Sequence, residues 1–181
     1  MKRTKYDPNE IIVENNICRM KLYNNKGEEV AETIFDLKYK SEIEKYKWHF
    51  HQNYVVTTWY DENNKQYNIQ LHQAIIQMSG QVVPDGYEID HKDINSLNNL
   101  ENNLRICTRS QNQQNRGKNK NNSSNFKGVT WHNNNEKWQA QIVINNKKQY
   151  LGYFSDKKDA AIAYNNAALQ HHGEFAQLNQ V

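Results

Sequence analysis

Thirteen consecutive residues, Gln113 to Asn125 (QQNRGKNKNNSSN), contain no apolar side chain. A stretch of this kind brings nothing to a hydrophobic core, so it predicts a flexible, basic linker. It divides the 181 residues into an expected first domain over 1–112 and a second over 126–181. Composition agrees with two small cores: the hydrophobic fraction is 36% and the mean hydropathy −1.07, both low for one well-buried globule.

The same region stands out in charge. Between Asn102 and Asn135 there is no Asp or Glu, while Arg105, Arg109, Arg116, Lys118, Lys120 and Lys127 all fall there. The rest of the chain carries 17 basic and 20 acidic residues, so a net charge of +3 conceals a basic centre in a slightly acidic protein. Such a centre suits a polyanion. Cys18 and Cys107 form no Cys-x-x-Cys pair, which argues against a cysteine zinc site and makes two buried free thiols the expectation. No apolar run follows the basic residues of MKRTKYDPNE, and none elsewhere approaches a membrane span. A cytoplasmic protein without membrane contact is therefore expected.

Up to about residue 80 the pattern is one of strands and turns. Ile11-Ile12-Val13 and Ile17 to Tyr23 precede the turn Asn24-Asn25-Lys26-Gly27, and the second run alternates apolar and polar residues. Gln52 to Tyr60 and Gln66 to Leu71 read as further strands, followed by a short helix from Leu71 to Met78. Beyond the linker, Phe126–Trp131, Trp138–Ile144 and Lys148–Phe154 predict three strands. A helix from Lys157 to about His171, capped by Ser155-Asp156, turns a stripe of alanines toward them. The fold class is α+β.

Two constellations carry function. The first is Tyr87-Glu88-Ile89-Asp90-His91, followed by Asn103-Leu104-Arg105-Ile106 and Ser110-Gln111-Asn112. An acid beside a histidine, taken alone, is better read as a hydrogen-bonded surface pair. The full run IDHKDINSLNNLENNLRICTRSQNQQN is more specific. It resembles the HNH nuclease family, in the variety found in phage and intron-encoded homing endonucleases. The resemblance implies a ββα-metal fold that hydrolyses phosphodiesters around one divalent ion, Mg²⁺ or Mn²⁺. It implies His91 as the general base for water, Asp90 and Asn112 as metal ligands, and Asn103 as the residue that orients the hairpin and the histidine. Arg105 becomes a phosphate contact. Asn112 stands where many relatives have His, which favours a single Mg²⁺-type ion and nicking of one strand. Without zinc cysteines the hairpin has to be held by packing, with Ile89, Ile94, Leu97, Leu100, Leu104 and Ile106 as contributors. His72 precedes the helix before the motif, where related enzymes also have a His, and is read as packing or phosphate contact. His49, His51, His171 and His172 carry no spacing argument.

The second constellation lies in residues 126–179: Lys127-Gly128-Val129, Trp138-x-Ala140, Leu151-Gly152-x-Phe154, Ala160-Ala161-x-Ala163-Tyr164 and Gly173-x-x-Ala176-x-x-Asn179. It resembles the AP2 DNA-binding domain, whose three-stranded antiparallel sheet enters the major groove with the helix behind it. The resemblance implies DNA contacts from Lys127, Thr130, His132, Gln141, Val143, Lys148 and Tyr150, with Tyr164 near the backbone. Thr130, His132 and Val143 replace arginines of the plant proteins, so a weaker or AT-leaning readout is expected. Arg109, Arg116, Lys118 and Lys120 add basic contacts.

Taken together, these features predict a site-specific, homing-type endonuclease, phage-encoded and acting in the host cell. It would work on double-stranded DNA as a monomer, with no protein partner implied. The other reading is a DNA-binding regulator with an inactive nuclease motif. Intact Asp90, His91, Asn103 and Asn112 favour the nuclease.

Overall fold

A computed structural model describes residues 7–119 and 122–181. The chain forms two compact units, Met1–Ile106 and Cys107–Val181. It is a mixed α and β protein of small antiparallel sheets and few helices, as the pattern of alternation predicts. Among the described residues no helix is long and apolar enough to cross a membrane.

The first unit opens with strands β1 (Ile11–Glu14), β2 (Ile17–Tyr23) and β3 (Glu29–Asp36), an antiparallel sheet in that order. A short helix, α1 (Lys40–Ile43), leads to a second antiparallel sheet: β4 (Trp48–His51), β5 (Tyr54–Tyr60) and β6 (Gln66–Gln70). Helix α2 (Leu71–Met78) follows without a break. The inward positions of β2, Cys18, Met20 and Leu22, join Phe35, Ile43, Trp48, Val55, Leu71, Ile75 and Ile76 in one core. Asn9 ties the two sheets, donating to the carbonyls of Lys21 and Trp48 and accepting from the Trp48 N–H.

The hairpins explain much of the asparagine usage. Asn15-Asn16 joins β1 to β2 and Gln52-Asn53 joins β4 to β5, every one of these residues with positive φ. Two-residue hairpin loops need that conformation for their twist to match the strands. Asn tolerates it better than other non-glycine residues because its short amide bonds locally.

The last hairpin of the unit is β7 (Tyr87–His91) with β8 (Leu104–Thr108). Its long connection docks on β3. The Ile34 N–H donates to Leu97 O at 3.0 Å, and the Asn99 N–H to Ile34 O at 2.8 Å. Glu101 is fixed by its N–H to Asp36 Oδ2 (2.8 Å) and by the Tyr39 hydroxyl (2.5 Å). The loop is thus an annex of the N-terminal sheet, which no local sequence pattern foretells.

In the second unit, α3 (Arg109–Asn115) starts from a capping box in which Thr108 and Gln111 satisfy each other's backbone N–H. The helix takes in Gln113 to Asn115, at the head of the stretch expected to be a linker, and Asn115 is buried. At the other end of that stretch Ser124 is fully buried, its Oγ bonded to Asn122 Oδ1 and to the carbonyls of Phe126 and Val129. A segment without apolar residues therefore orders its ends through hydrogen bonds.

Strands β9 (Val129–His132), β10 (Lys137–Ile144) and β11 (Lys147–Phe154) form the antiparallel sheet, with β10 central. Asn145-Asn146 makes the β10–β11 turn, again at positive φ. Helix α4 (Lys157–His172) is capped by Asp156 and lays Ala160, Ala161, Tyr164, Ala167 and Ala168 against Val129, Ala140 and Ile142. Asn179 closes the unit by pairing with both backbone groups of Lys127.

Gly128 is the tightest point. Its φ is +75°, and a Cβ there would stand 2.1 Å from Tyr164 Cδ2 and 2.6 Å from Gln141 O. Gly128→Ala combines left-handed strain with overpacking and is expected to cost about 3 kcal/mol. Hydrogen–deuterium exchange of the full chain should show faster exchange of α4 amides with β2 and β3 protection unchanged. Unaltered α4 protection would mean that the Tyr164 ring gives way freely.

Candidate active site

Asp90 and His91 end β7 and begin the docked loop. Asn103, at the loop's far end, closes it. Its Oδ1 accepts from the Asp93 N–H (3.2 Å), and its Nδ2 donates to Asp93 Oδ1 (2.9 Å) and Asn98 O (2.8 Å). The Lys92 N–H meets Asn103 O at 2.9 Å. Asn103 therefore holds the hairpin, as expected of it, but these bonds go to the loop and not to the histidine. The loop bends through Ile94, a β-branched residue at φ 60°. Ile94 is 49% exposed and adds little to the packing expected of it, whereas Leu104 is buried and Ile89, Leu97 and Ile106 pack on the core.

The hydrogen bond to His91 comes from a residue that the sequence did not single out. His91 Nε2 lies 3.2 Å from Oδ1 of buried Asn99. Asn99 Nδ2 donates in turn to Thr33 Oγ1 (2.9 Å) and Ser96 O (3.2 Å). The imidazole of His72, from α2, meets the His91 ring edge-on at 5.1 Å and 84°, and Tyr54 lies against His72 at 5.5 Å. Burial lowers the His91 pKa from its ordinary value, against the Asn99 bond and the charges of Asp93 and Asp90. Burial, with the His91 charge second, pushes His72 down to about 3. Both shifts favour the neutral imidazole.

Asp90 is 5% exposed, and its Oδ2 accepts from both Nε (2.9 Å) and Nη2 (2.8 Å) of Arg105, whose side chain is 10% exposed. Arg105, expected as a phosphate contact, thus spends two of its N–H groups on the carboxylate beside the base. Reach across a β7–β8 pair brings them together.

The first unit alone therefore assembles Asp90, His91, Asn103 and Arg105. Asn112 stands on α3, in the second unit. Asp90 and Asn112 each carry a hard oxygen donor of the kind that suits Mg²⁺ or Mn²⁺, ions that retain several waters or phosphate oxygens. Among the described residues no three His, Cys, Asp or Glu side chains gather as a metal cluster. Arg109, Arg116 and Lys118 are exposed. Lys120 lies outside the described residues.

The register of the second sheet sorts its residues into two faces. Thr130 pairs with Gln139, His132 with Lys137, Gln141 with Tyr150 and Val143 with Lys148, on the face opposite Ala140 and Ile142. Six of the expected contacts, Thr130, His132, Gln141, Val143, Lys148 and Tyr150, therefore share one outward face. Alternation adds Gln139 and Tyr153, which the sequence reading passed over. His132, Tyr153 and Tyr150 form an edge-to-face row with centroids 5.0 and 5.1 Å apart. Two expectations fail. Tyr164 is buried beneath the sheet, against Gly128, with its hydroxyl pushed up to about 12 by burial. Lys127 is partly buried and donates to Gln114 O; burial pushes it down to about 8. Asn179 grips its backbone, which turns the residue inward.

A family model described as HNH endonuclease matches residues 70–114. The chain is similar to an uncharacterised HNH endonuclease of Acanthamoeba polyphaga mimivirus, 35% identical over 140 residues, covering 77% of this chain and 70% of the relative. It is similar to Protein 3.8 of Escherichia phage T7, 29% identical over 107 residues, 59% of this chain and 88% of that protein. A third similarity is to an AP2-like ethylene-responsive transcription factor of Arabidopsis thaliana. That match is 41% identical over 58 residues, 31% of this chain and 17% of the plant protein.

Arg105→Met removes the guanidinium from a buried carboxylate and is expected to destabilise the first unit by about 3 kcal/mol. Asp90→Asn in the same background should recover most of that loss in urea unfolding, because the strain comes from the unpaired charge. A double variant no more stable than Arg105→Met would show that packing of the Arg105 stem carries the effect.

Proposed function

The chain belongs to the HNH endonuclease family, and from this premise we propose that it is a site-specific, homing-type nuclease with an AP2-like recognition module. It is a hydrolase that cleaves DNA phosphodiester bonds. The observation that carries the reading is the placement of His91: buried and hydrogen-bonded to Asn99 at the end of β7, next to Asp90 and inside the matched residues 70–114.

In this reading β7, β8 and α3 are the ββα-metal element. His91 takes the proton of the attacking water. Asn103 keeps the loop rigid, so the imidazole does not have to be positioned anew for each turnover. Arg105 aligns the Asp90 carboxylate. HNH nucleases work with a divalent metal ion, here Mg²⁺ or Mn²⁺, held by Asp90 and Asn112. Such an ion, when bound, would supply Lewis-acid polarisation of the scissile phosphate and stabilisation of the leaving 3′-oxygen.

Recognition falls to the outward face of the second sheet. The 58-residue similarity to a plant AP2-like factor supports this, being the length of the sheet-and-helix module. No arginine follows Arg116 in the sequence, so this face has no guanidinium fork for guanine. Gln139 and Gln141 suit adenine, and Val143 suits the thymine methyl. The preferred site is therefore AT-rich, and Lys148 adds a phosphate contact. Joining a modest reader to a modest cutter raises the effective affinity for a long site.

The deciding experiment is incubation of the purified protein with AT-rich genomic DNA, in Mg²⁺ or in EDTA, with strand ends mapped by sequencing. Discrete breaks are expected in Mg²⁺ only. His91→Ala should lower the rate by roughly 10²–10⁴ and leave DNA affinity within twofold. Normal cleavage by His91→Ala would sink the base assignment; tight binding without breaks in either Mg²⁺ or Mn²⁺ would sink the nuclease reading of the site. For the sheet, Lys148→Ala is expected to weaken binding to all sequences alike and lower the salt slope by about one. Gln141→Ala should instead relax preference at one or two positions, measured by selection from a random library.

A further inference from the structure

Among the described residues ten that are not glycine adopt positive φ, and seven of these are asparagine. Asparagine is the expected choice, because its short amide bonds locally where other side chains are crowded. Ile94, at φ 60°, is the only apolar residue of the ten and the only β-branched one, the type for which this conformation is most costly. Its neighbours hold it there. Asp93 accepts from the Asn95 N–H (2.9 Å) and from the side-chain amides of Asn98 (2.7 Å) and Asn103 (2.9 Å). Asn95 accepts in turn from the Leu97 N–H (3.1 Å), and the Ile94 N–H closes a turn onto His91 O (2.9 Å). Strain that the surroundings over-determine in this way clusters at functional sites. Burial does not repay it, since Ile94 is the one large apolar side chain laid open in the loop between β7 and β8.

Ile94 lies three positions from His91, and the polymer that has to reach His91 for cleavage is DNA. A single exposed side chain is far too little for a protein interface. It is enough for a base step: isoleucine is among the residues that enter between stacked bases, part them and kink the duplex. An AT-rich site favours this, because TA steps are flexible and easily unstacked. We infer that Ile94 is an apolar wedge that parts a base step beside the scissile phosphate, and that its strained backbone is kept because it presents the side chain outward. The inference rests on the nuclease reading of the site around His91.

The test uses the full chain bound, in EDTA, to a duplex of alternating adenine and thymine in which 2-aminopurine replaces some adenines. The fluorescence of that base rises when it unstacks, and anisotropy confirms that the duplex is saturated. Wild type and Ile94→Leu should brighten it severalfold, whereas Ile94→Asn and Ile94→Gly should not. Ile94→Asn should also unfold at a higher urea midpoint than the wild type, because asparagine accepts the left-handed backbone. Its single-turnover cleavage of AT-rich genomic DNA in Mg²⁺ should be slower by on the order of tenfold to a hundredfold. Saturated binding by the wild type without brightening, or an Ile94→Asn variant that brightens and cleaves like the wild type, overturns the wedge. A urea midpoint for Ile94→Asn at or below that of the wild type overturns the strain that singles the residue out. Brightening by the wild type with no strand breaks in Mg²⁺ or Mn²⁺ overturns the nuclease reading instead and leaves the wedge standing.

Discussion

The docking of the β7–β8 loop on β3 is the contact on which the first unit's chemistry depends. Loops rarely hold a side chain to within a few tenths of an ångström, because their backbone groups are spread over water. Here Ile34 takes over that task, receiving the Asn99 N–H on one side and donating to Leu97 O on the other. Two backbone bonds of this sort do little for stability singly, about 1 kcal/mol each. Their importance lies in what they align. They bring Thr33, Ser96 and Asn99 to one buried point, and Asn103 then closes the loop from its far end. The N-terminal sheets are thus the floor on which the site is built.

The second unit meets a different constraint. Its sheet has to present a polar face outward while a helix with few large apolar residues covers the other side. Alanines on α4 and the bare backbone at Gly128 let helix and sheet approach, and Tyr164 fills the remaining space. Close approach replaces bulk as the source of dispersion contact. That leaves the outward residues out of the core, free to be polar.

Much of this is legible in the sequence, for identifiable reasons. The alternation in Ile17–Tyr23 and Trp138–Ile144, and the alanine stripe of α4, are local signals, and each element forms where its period says. Asp90, His91 and Asn103 are marked by order and spacing. Asn99 is not, because it stands among Asn95, Asn98, Asn102 and Asn103, and residue type alone does not distinguish a buried pin from a surface amide. Only the docking on β3 singles it out, and that contact joins residues far apart in sequence. Arg105 on Asp90 is hidden in the same way by the turn of the hairpin. Lys127 and Tyr164 show the opposite failure. A matched motif fixes their place in the chain, while the grip of Asn179 and the gap at Gly128 decide which way they point.

The electrostatics of the site follow from these placements. A base flanked by two carboxylates is ordinarily pulled toward its protonated form, and Asp90 and Asp93 both act on His91 in that direction. Burial opposes them and prevails, since a desolvated imidazolium costs more than two shielded carboxylates return. The shielding is built in. Arg105 balances Asp90, while Asp93 accepts from the Asn95 N–H and the Asn98 and Asn103 amides, which lower its pKa against its own burial. His72 meets the ring edge-on, itself pushed down to about 3 by burial. Burial of His91, the Arg105 pair on Asp90 and the amides around Asp93 are thus parts of one electrostatic arrangement, in which desolvation outweighs the pull of two carboxylates.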